Sequence, residues 1–272
     1  MQMIKFLSIL ALTLSAHPHL AAAQQSMDHP VPHPPGLEGA QLLQGWMRAD
    51  GTRMAGLSID LEPGWKTYWR APGDAGIPPQ IDFIGSENVA KITLHWPAPE
   101  VFESAGMRTI GYHSDLVLPI SITPKDPTKP VDLTANAAIG ICDQICVPVS
   151  LHLHAHLAGK GQPDPQIKAA LQAEPKTISL HATCKTTPVR DGVKLTARFD
   201  LPPAIGREAT LFELRSTPVW VSESESRREG NTLIATADFV PPEAKPFDLD
   251  LSDLRITVLS DRGAVQIDGC TE

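Results

Sequence analysis

No apolar run in this 272-residue sequence approaches the roughly 18 uninterrupted residues that a membrane-crossing helix requires. The most apolar stretch, Phe6 to Ala16, is roughly 11 residues long and too short to span a bilayer. It follows Lys5 and precedes the small residues Ala21-Ala22-Ala23, the order of a cleavable secretory signal peptide ending near residue 23. The mature chain, beginning near Gln24, is therefore expected to have no transmembrane segment and to reside in the periplasm, where disulfides form and persist. Basic charge is also in short supply. With 23 Lys and Arg against 31 Asp and Glu, the formal net charge is -8 and the pI is near 5.7. Nucleic acid and anionic membrane surfaces both call for clustered Lys and Arg, so neither is an expected partner. A glycine-rich phosphate loop and a nucleophile elbow are missing too, which removes two common enzyme signatures.

Proline, by contrast, is abundant. Its 26 copies break helix interiors and favour strands joined by loops. Residues 24–39, which include Met27-Asp28-His29-Pro30-Val31-Pro32-His33-Pro34-Pro35, lack an apolar period and read as a disordered Pro/His-rich lead-in. From 40 to 158, seven short runs show strand-like alternation or β-branched content between Pro, Gly and Asp punctuation: Ala40 to Ala49, Arg53 to Leu61, Lys66 to Arg70, Ala90 to Leu94, Asp115 to Ile122, Val131 to Ile141 and Val147 to Leu157. That count suits a β-sandwich. Residues 159–176 read as a linker with a short helix from Gln166 to Ala173. A second β domain is expected over 177–272, with strands at Ser179 to Thr183, Gly192 to Asp200, Ala209 to Leu214, Thr232 to Phe239, Leu254 to Leu259 and Ala264 to Ile267. The charged run Ser222 to Gly230 is expected to be a solvated loop. The fold class is thus all-β, with two sandwich domains in tandem.

Four cysteines permit two bridges. Cys142 and Cys146, spaced C-x3-C, would stand about 13 Å apart in one continuous strand at about 3.3 Å per residue, so a turn must bring them together. On the chain-entropy model so small a ring adds only about 2 kcal/mol, whereas a bridge from Cys184 to Cys270 would add about 4 to 5 kcal/mol. The long bridge therefore reads as a structural tie. The short one leaves three readings open on spacing alone: an inert hairpin staple, an exchange pair, or a zinc site, the last weakened because no second cysteine pair lies nearby.

The stretch Gly64-Trp65-Lys66-Thr67-Tyr68-Trp69-Arg70-Ala71-Pro72-Gly73-Asp74-Ala75-Gly76-Ile77-Pro78-Pro79, then Trp96-Pro97-Ala98-Pro99, Gly111-Tyr112 before a strand, and Cys142 to Pro148, occur in the order seen in a known family. Together they resemble the periplasmic N-terminal domain of the DsbD family of thiol:disulfide interchange proteins, in particular its ScsB-like branch. The tail from about 177 resembles the second periplasmic region of ScsB-like proteins more loosely. The resemblance implies an immunoglobulin-like domain and a thiol:disulfide oxidoreductase whose redox-active pair is Cys142 and Cys146, with no cofactor. It also implies a membrane-embedded thiol electron donor and periplasmic clients of the thioredoxin fold, such as disulfide isomerases. The membrane and thioredoxin-like domains of full-length members do not occur in this chain, so the donor is expected to be another protein. An aromatic cap over the pair is implied as well, for which Phe102 is the candidate, with Tyr68 and Tyr112 as candidate lining. Asp143, beside the pair, would disfavour the thiolate.

A second function class rests on different residues. His152, His154 and His156 alternate in Leu151-His152-Leu153-His154-Ala155-His156-Leu157, so a strand puts all three on one face. They would serve a periplasmic copper or zinc binder, with a role in copper tolerance and with His29 and His33 of the lead-in as further ligands. The bland reading is the solvated face of an amphipathic strand. A third reading is a non-catalytic interaction module in which both disulfides are structural.

Overall fold

The computed structural model describes residues 34–272 apart from 74, 105, 106, 205 and 207. The signal peptide expected at 1–23, most of the expected lead-in, and His29 and His33 lie outside the described residues. In chain order the first part holds β1 (Leu37–Leu43), β2 (Arg53–Leu61), β3 (Lys66–Tyr68), β4 (Gln80–Asp82), β5 (Val89–Leu94), β6 (Glu100–Ser104), β7 (Met107–Tyr112), β8 (Leu116–Pro124), β9 (Val131–Cys142) and β10 (Cys146–Leu157). Helix α1 (Pro165–Gln172) follows. The second part holds β11 (Lys176–Thr177), β12 (Ala182–Val189), β13 (Gly192–Asp200), β14 (Ala209–Leu214), β15 (Trp220–Val221), β16 (Glu225–Glu229), β17 (Thr232–Val240), β18 (Leu254–Ser260) and β19 (Gly263–Asp268).

Period-two patterning explains the layers. Along β2 the residues Ala55, Leu57, Ile59 and Leu61 are buried in one core with Leu116, Leu118, Ile120 and Ile122 of β8. These strands belong to a sheet ordered β1-β2-β8-β5. Facing it is a sheet ordered β10-β9-β3-β7-β6, with β4 also paired to β9, which contributes Val131, Leu133, Ala137, Ile139 and Ile141 to the same core. Two sheets closed over one apolar layer make a sandwich. The second part repeats this architecture with sheets β11-β19-β18-β14 and β12-β13-β17-β15, the latter extended by β16 on β17. Its core holds Leu195, Phe199, Leu233, Phe239, Leu254 and Ile256. The fold is all-β with two sandwiches, as the sequence implies.

The sandwiches are not separated by a loose tether. Ala209, Leu211 and Leu259 of the second part pack in the core of the first. Between the two, Gly161 bridges Trp46, and Met47 N–H donates to the Lys160 carbonyl at 2.8 Å. The buried Arg53 guanidinium donates to the Gly159 carbonyl at 2.6 Å and the Gln44 carbonyl at 3.3 Å. Helix α1 begins at Asp164, whose carboxylate accepts from the backbone N–H groups of Gln166 and Ile167, an N-cap ahead of Pro165 at the first helical position.

Several expectations need correction. The first strand starts at Leu37, ahead of Ala40, so the end of the expected lead-in is folded: Leu37 is buried and pairs with Leu61. Within the run expected to be a solvated loop, Glu225–Glu229 is a strand on β17. Its charges are satisfied at a sheet edge by pairing, Arg228 with Glu208 and Arg198 with Glu229 at 3.0 Å, and charged side chains are what an edge strand tolerates. The strand expected at Ser179 to Thr183 lies instead at Ala182–Val189, and the β6–β7 hairpin has no counterpart in the expected set.

Candidate active site

Strands β9 and β10 form a long antiparallel hairpin in which Cys142 is directly opposite Cys146. The turn is only Asp143-Gln144-Ile145, closed by the Asp143 N–H donating to the Ile145 carbonyl at 3.1 Å. It brings the two Cα atoms to 4.2 Å, and the sulfurs are bonded. Register places the pair on the outer face. Since Ile139 and Ile141 point into the core, Gly140 and Cys142 point away from it, as do their partners Pro148 and Cys146.

The two sulfurs have different surroundings. Cys142 is 1% exposed, while Cys146 is exposed and follows Ile145, which is 67% exposed. Strand β3 covers the buried one: Lys66 pairs with Cys142 and Thr67 with Ile141, and the Thr67 hydroxyl donates to the Gly140 carbonyl at 3.0 Å. Two residues beyond Lys66, the Tyr68 hydroxyl lies 2.9 Å from Cys142 Sγ and 3.4 Å from Cys146 Sγ. Tyr68 is itself 3% exposed, and burial pushes its phenol above the usual range. The phenol therefore stays protonated wherever thiols titrate, and so stays a donor. On its other side β3 meets β7 at Gly111, where a Cβ would come within 2.1 Å of the Thr67 carbonyl oxygen. Only glycine permits that approach. Gly140 makes similar room for Ile77, whose side chain occupies the space of a Cβ there, at 2.8 Å.

The remaining candidates are distributed around this centre. Phe102 on β6 stacks on His113, ring centroids 4.2 Å apart, and the Lys66 ammonium lies 5.2 Å from its ring centroid. It thus adjoins the residue that pairs with Cys142. Tyr112 is turned elsewhere: its hydroxyl donates to the Pro97 carbonyl at 2.9 Å, its ring is in the main core, and burial raises its phenol strongly. Asp143 is exposed on the turn. Cys184 and Cys270 are bonded to each other and tie β12 to the chain end, beside a bridge between Thr183 and Thr271. Sequence reasoning did not single out Lys66, Thr67, Ile77 or Gly140, although the first three lie within the long motif from Gly64 to Pro79.

His152, His154 and His156 occupy the exposed face of β10, as alternation requires. Each ring faces its cross-strand partner: His152 Nδ1 is 2.6 Å from Asn136 Oδ1, His154 Nδ1 is 3.4 Å from Thr134 Oγ1, and His156 Nδ1 is 2.6 Å from Asp132 Oδ1. Among the described residues, no three His, Cys, Asp or Glu side chains are grouped so as to hold a metal ion.

A bridge with one cysteine exposed and the other buried under a phenol is open to attack from outside without unfolding its hairpin, as thiol–disulfide interchange requires. Comparison with known proteins bears on the same part of the chain. Residues 39–158 match the model of thiol:disulfide interchange protein DsbD, N-terminal, and this part of the chain is a DsbD N-terminal-like domain. The crystal structure of the N-terminal periplasmic domain of ScsB from Proteus mirabilis has a similar fold, with a TM-score of 0.62 over 83% of this chain and 90% of that one at 23% identity. That coverage extends beyond the first sandwich. No curated protein matches the chain. Among the described residues, no helix is long and apolar enough to cross a membrane.

Proposed function

We propose that this protein relays electrons in the periplasm, from a membrane-embedded thiol carrier to client proteins of the thioredoxin fold, through Cys142 and Cys146. The observation that carries this reading is the asymmetry of the pair, Cys146 exposed and Cys142 buried against Tyr68. In the loading step a donor thiolate attacks Cys146 Sγ. The Cys142–Cys146 bond breaks, and Cys142 leaves as a thiolate that accepts the Tyr68 hydrogen bond. A second donor thiol then attacks the donor's own sulfur in the mixed disulfide, so that the donor departs oxidised and the pair keeps two electrons and two protons. Delivery reverses these steps. The Cys146 thiolate attacks a client disulfide, and Cys142 attacks Cys146 Sγ, re-forming the original bond and releasing the client as a dithiol. Lys66 pairs with Cys142 across the strands, and Asp143 lies on the exposed turn beside it. Phe102 would act as the cap, shielding the pair from small oxidants through its contact with Lys66. The domain boundaries that go with this reading are a redox sandwich over 37–158 and a second sandwich over 177–272, the latter closed within itself by Cys184–Cys270.

The test is electron delivery. The mature protein is reduced, freed of reductant and mixed with a thioredoxin-fold protein carrying an oxidised active site, and thiols on both are then trapped and counted by mass spectrometry. The expected result is one client disulfide reduced for each Cys142–Cys146 bond formed, and none with the Cys142→Ala/Cys146→Ala variant. A client left oxidised by the wild type, or reduced equally by the double variant, would contradict the proposal.

A further inference from the structure

The tyrosine that touches both sulfurs is held from outside its own sandwich. Trp69, the next residue, is fully buried, and the Arg70 guanidinium lies 4.0 Å from its ring centroid. Arg70 then reaches across to β14 of the second sandwich, donating from Nε and Nη2 to the two carboxylate oxygens of Glu213 at 2.8 and 2.9 Å. The two side chains are 17% and 12% exposed, so this two-pronged pair is little screened by water. On the opposite side the segment is fixed by backbone bonds, Trp69 N–H to the Ile110 carbonyl at 3.0 Å and Ile110 N–H to the Pro72 carbonyl at 2.9 Å. Residues 69–72 are thus gripped by β7 on one side and by the second sandwich on the other, directly beside Tyr68.

We propose that Glu213 is a positioning residue for the redox pair: through Arg70 and Trp69 it fixes the backbone that aims the Tyr68 hydroxyl at Cys142 and Cys146, so the second sandwich sets the thiol–disulfide equilibrium of the first. The inference rests on the exchange reading given above. Its physical basis is that a phenol can both donate to and accept from a free thiol and donates more strongly still to a thiolate, whereas a disulfide sulfur is only a weak acceptor, so a well-aimed phenol favours the reduced pair. When the aim is lost, that preference goes with it. No ligand is required, and the second sandwich becomes part of the redox unit rather than a spacer.

The experiment equilibrates wild type, Tyr68→Phe, Glu213→Ala, Glu213→Gln and Tyr68→Phe/Glu213→Ala in glutathione buffers, reads both disulfides by thiol trapping and mass spectrometry, and records each Tm. Tyr68→Phe and Glu213→Ala should each shift the Cys142–Cys146 equilibrium about tenfold toward the disulfide, about 30 mV more negative, with Cys184–Cys270 unmoved. The double variant should shift no further than Tyr68→Phe, because both changes remove one and the same interaction. Glu213→Gln, which keeps the side-chain shape, should shift the same way by less, and it supplies the answer if Glu213→Ala does not fold. A fall in Tm with the wild-type equilibrium retained would assign Glu213 to stability alone and overturn the proposal. Additive shifts would overturn it too, as would a shift toward the dithiol, which would mean that the freed Arg70 charge acts on the sulfurs directly. A wild-type pair that does not exchange with glutathione would instead sink the exchange reading on which the proposal rests.

Discussion

The Cys142→Ser variant, incubated with oxidised glutathione, should accumulate a stable mixed disulfide on Cys146, whereas Cys146→Ser should form an adduct at least about 100-fold more slowly. Two features of the site act in the same direction. Access differs, because Cys146 is exposed and Cys142 is 1% exposed beneath β3. Chemistry differs as well, because burial in low-dielectric surroundings disfavours a thiolate, and the thiolate is the attacking species. Tyr68 offsets part of that penalty for Cys142 once the thiolate exists, but a hydrogen bond cannot open a path for an outside disulfide. With serine at 142 nothing resolves the adduct, so it persists; with serine at 146 the remaining thiol is inaccessible. Intact-mass measurement over time reads both rates. Equal rates, or faster modification of Cys142, would mean that the exposed sulfur is not the point of attack.

The second large effect concerns the other bridge. Replacing both Cys184 and Cys270 by alanine should lower the unfolding free energy of the second sandwich by about 4 to 5 kcal/mol, read as a shifted urea midpoint, because the bond closes a long loop with a sequence separation of 86. The bond joins β12 to the final residues, where Cys184 N–H donates to the Thr271 carbonyl and Thr271 N–H to the Ala182 carbonyl. The chain end is therefore anchored on both sides of the sulfurs. Cys142–Cys146 should exchange at the wild-type rate in this variant at low urea, where the fold persists. A stability loss under about 1 kcal/mol would show that these backbone bonds suffice and that the bridge adds little.

How legible all this is from sequence depends on how local each feature is. The β9–β10 hairpin can be read because alternating apolar residues run unbroken up to Cys142 and away from Cys146, and β2 and β13 can be read within their true limits for the same reason. The face carrying His152, His154 and His156 follows from alternation alone. Strands β6 and β7 escape because Pro97 and Pro99 precede the first and the residues of both show no period of two; β7 is held against Tyr68 at Gly111. Strand β16 escapes because its charges suit a loop as well as an edge. At the site, the resemblance to the DsbD family picks out Cys142, Cys146 and Tyr68. The bond from Arg70 to Glu213 spans 143 positions, and no local pattern announces it. That contact arises from packing one sandwich on the other, which a single sequence read element by element does not encode.

The most direct test of the central claim is the reduction potential of Cys142–Cys146, obtained by equilibrating the mature protein in glutathione or dithiothreitol buffers and trapping thiols for mass spectrometry. The expected potential is about -180 to -270 mV, among exchange proteins, with Cys184–Cys270 remaining oxidised throughout. A value below about -300 mV, or a pair that resists reduction while the sandwich stays folded, would make the hairpin bridge a structural staple and contradict the redox role.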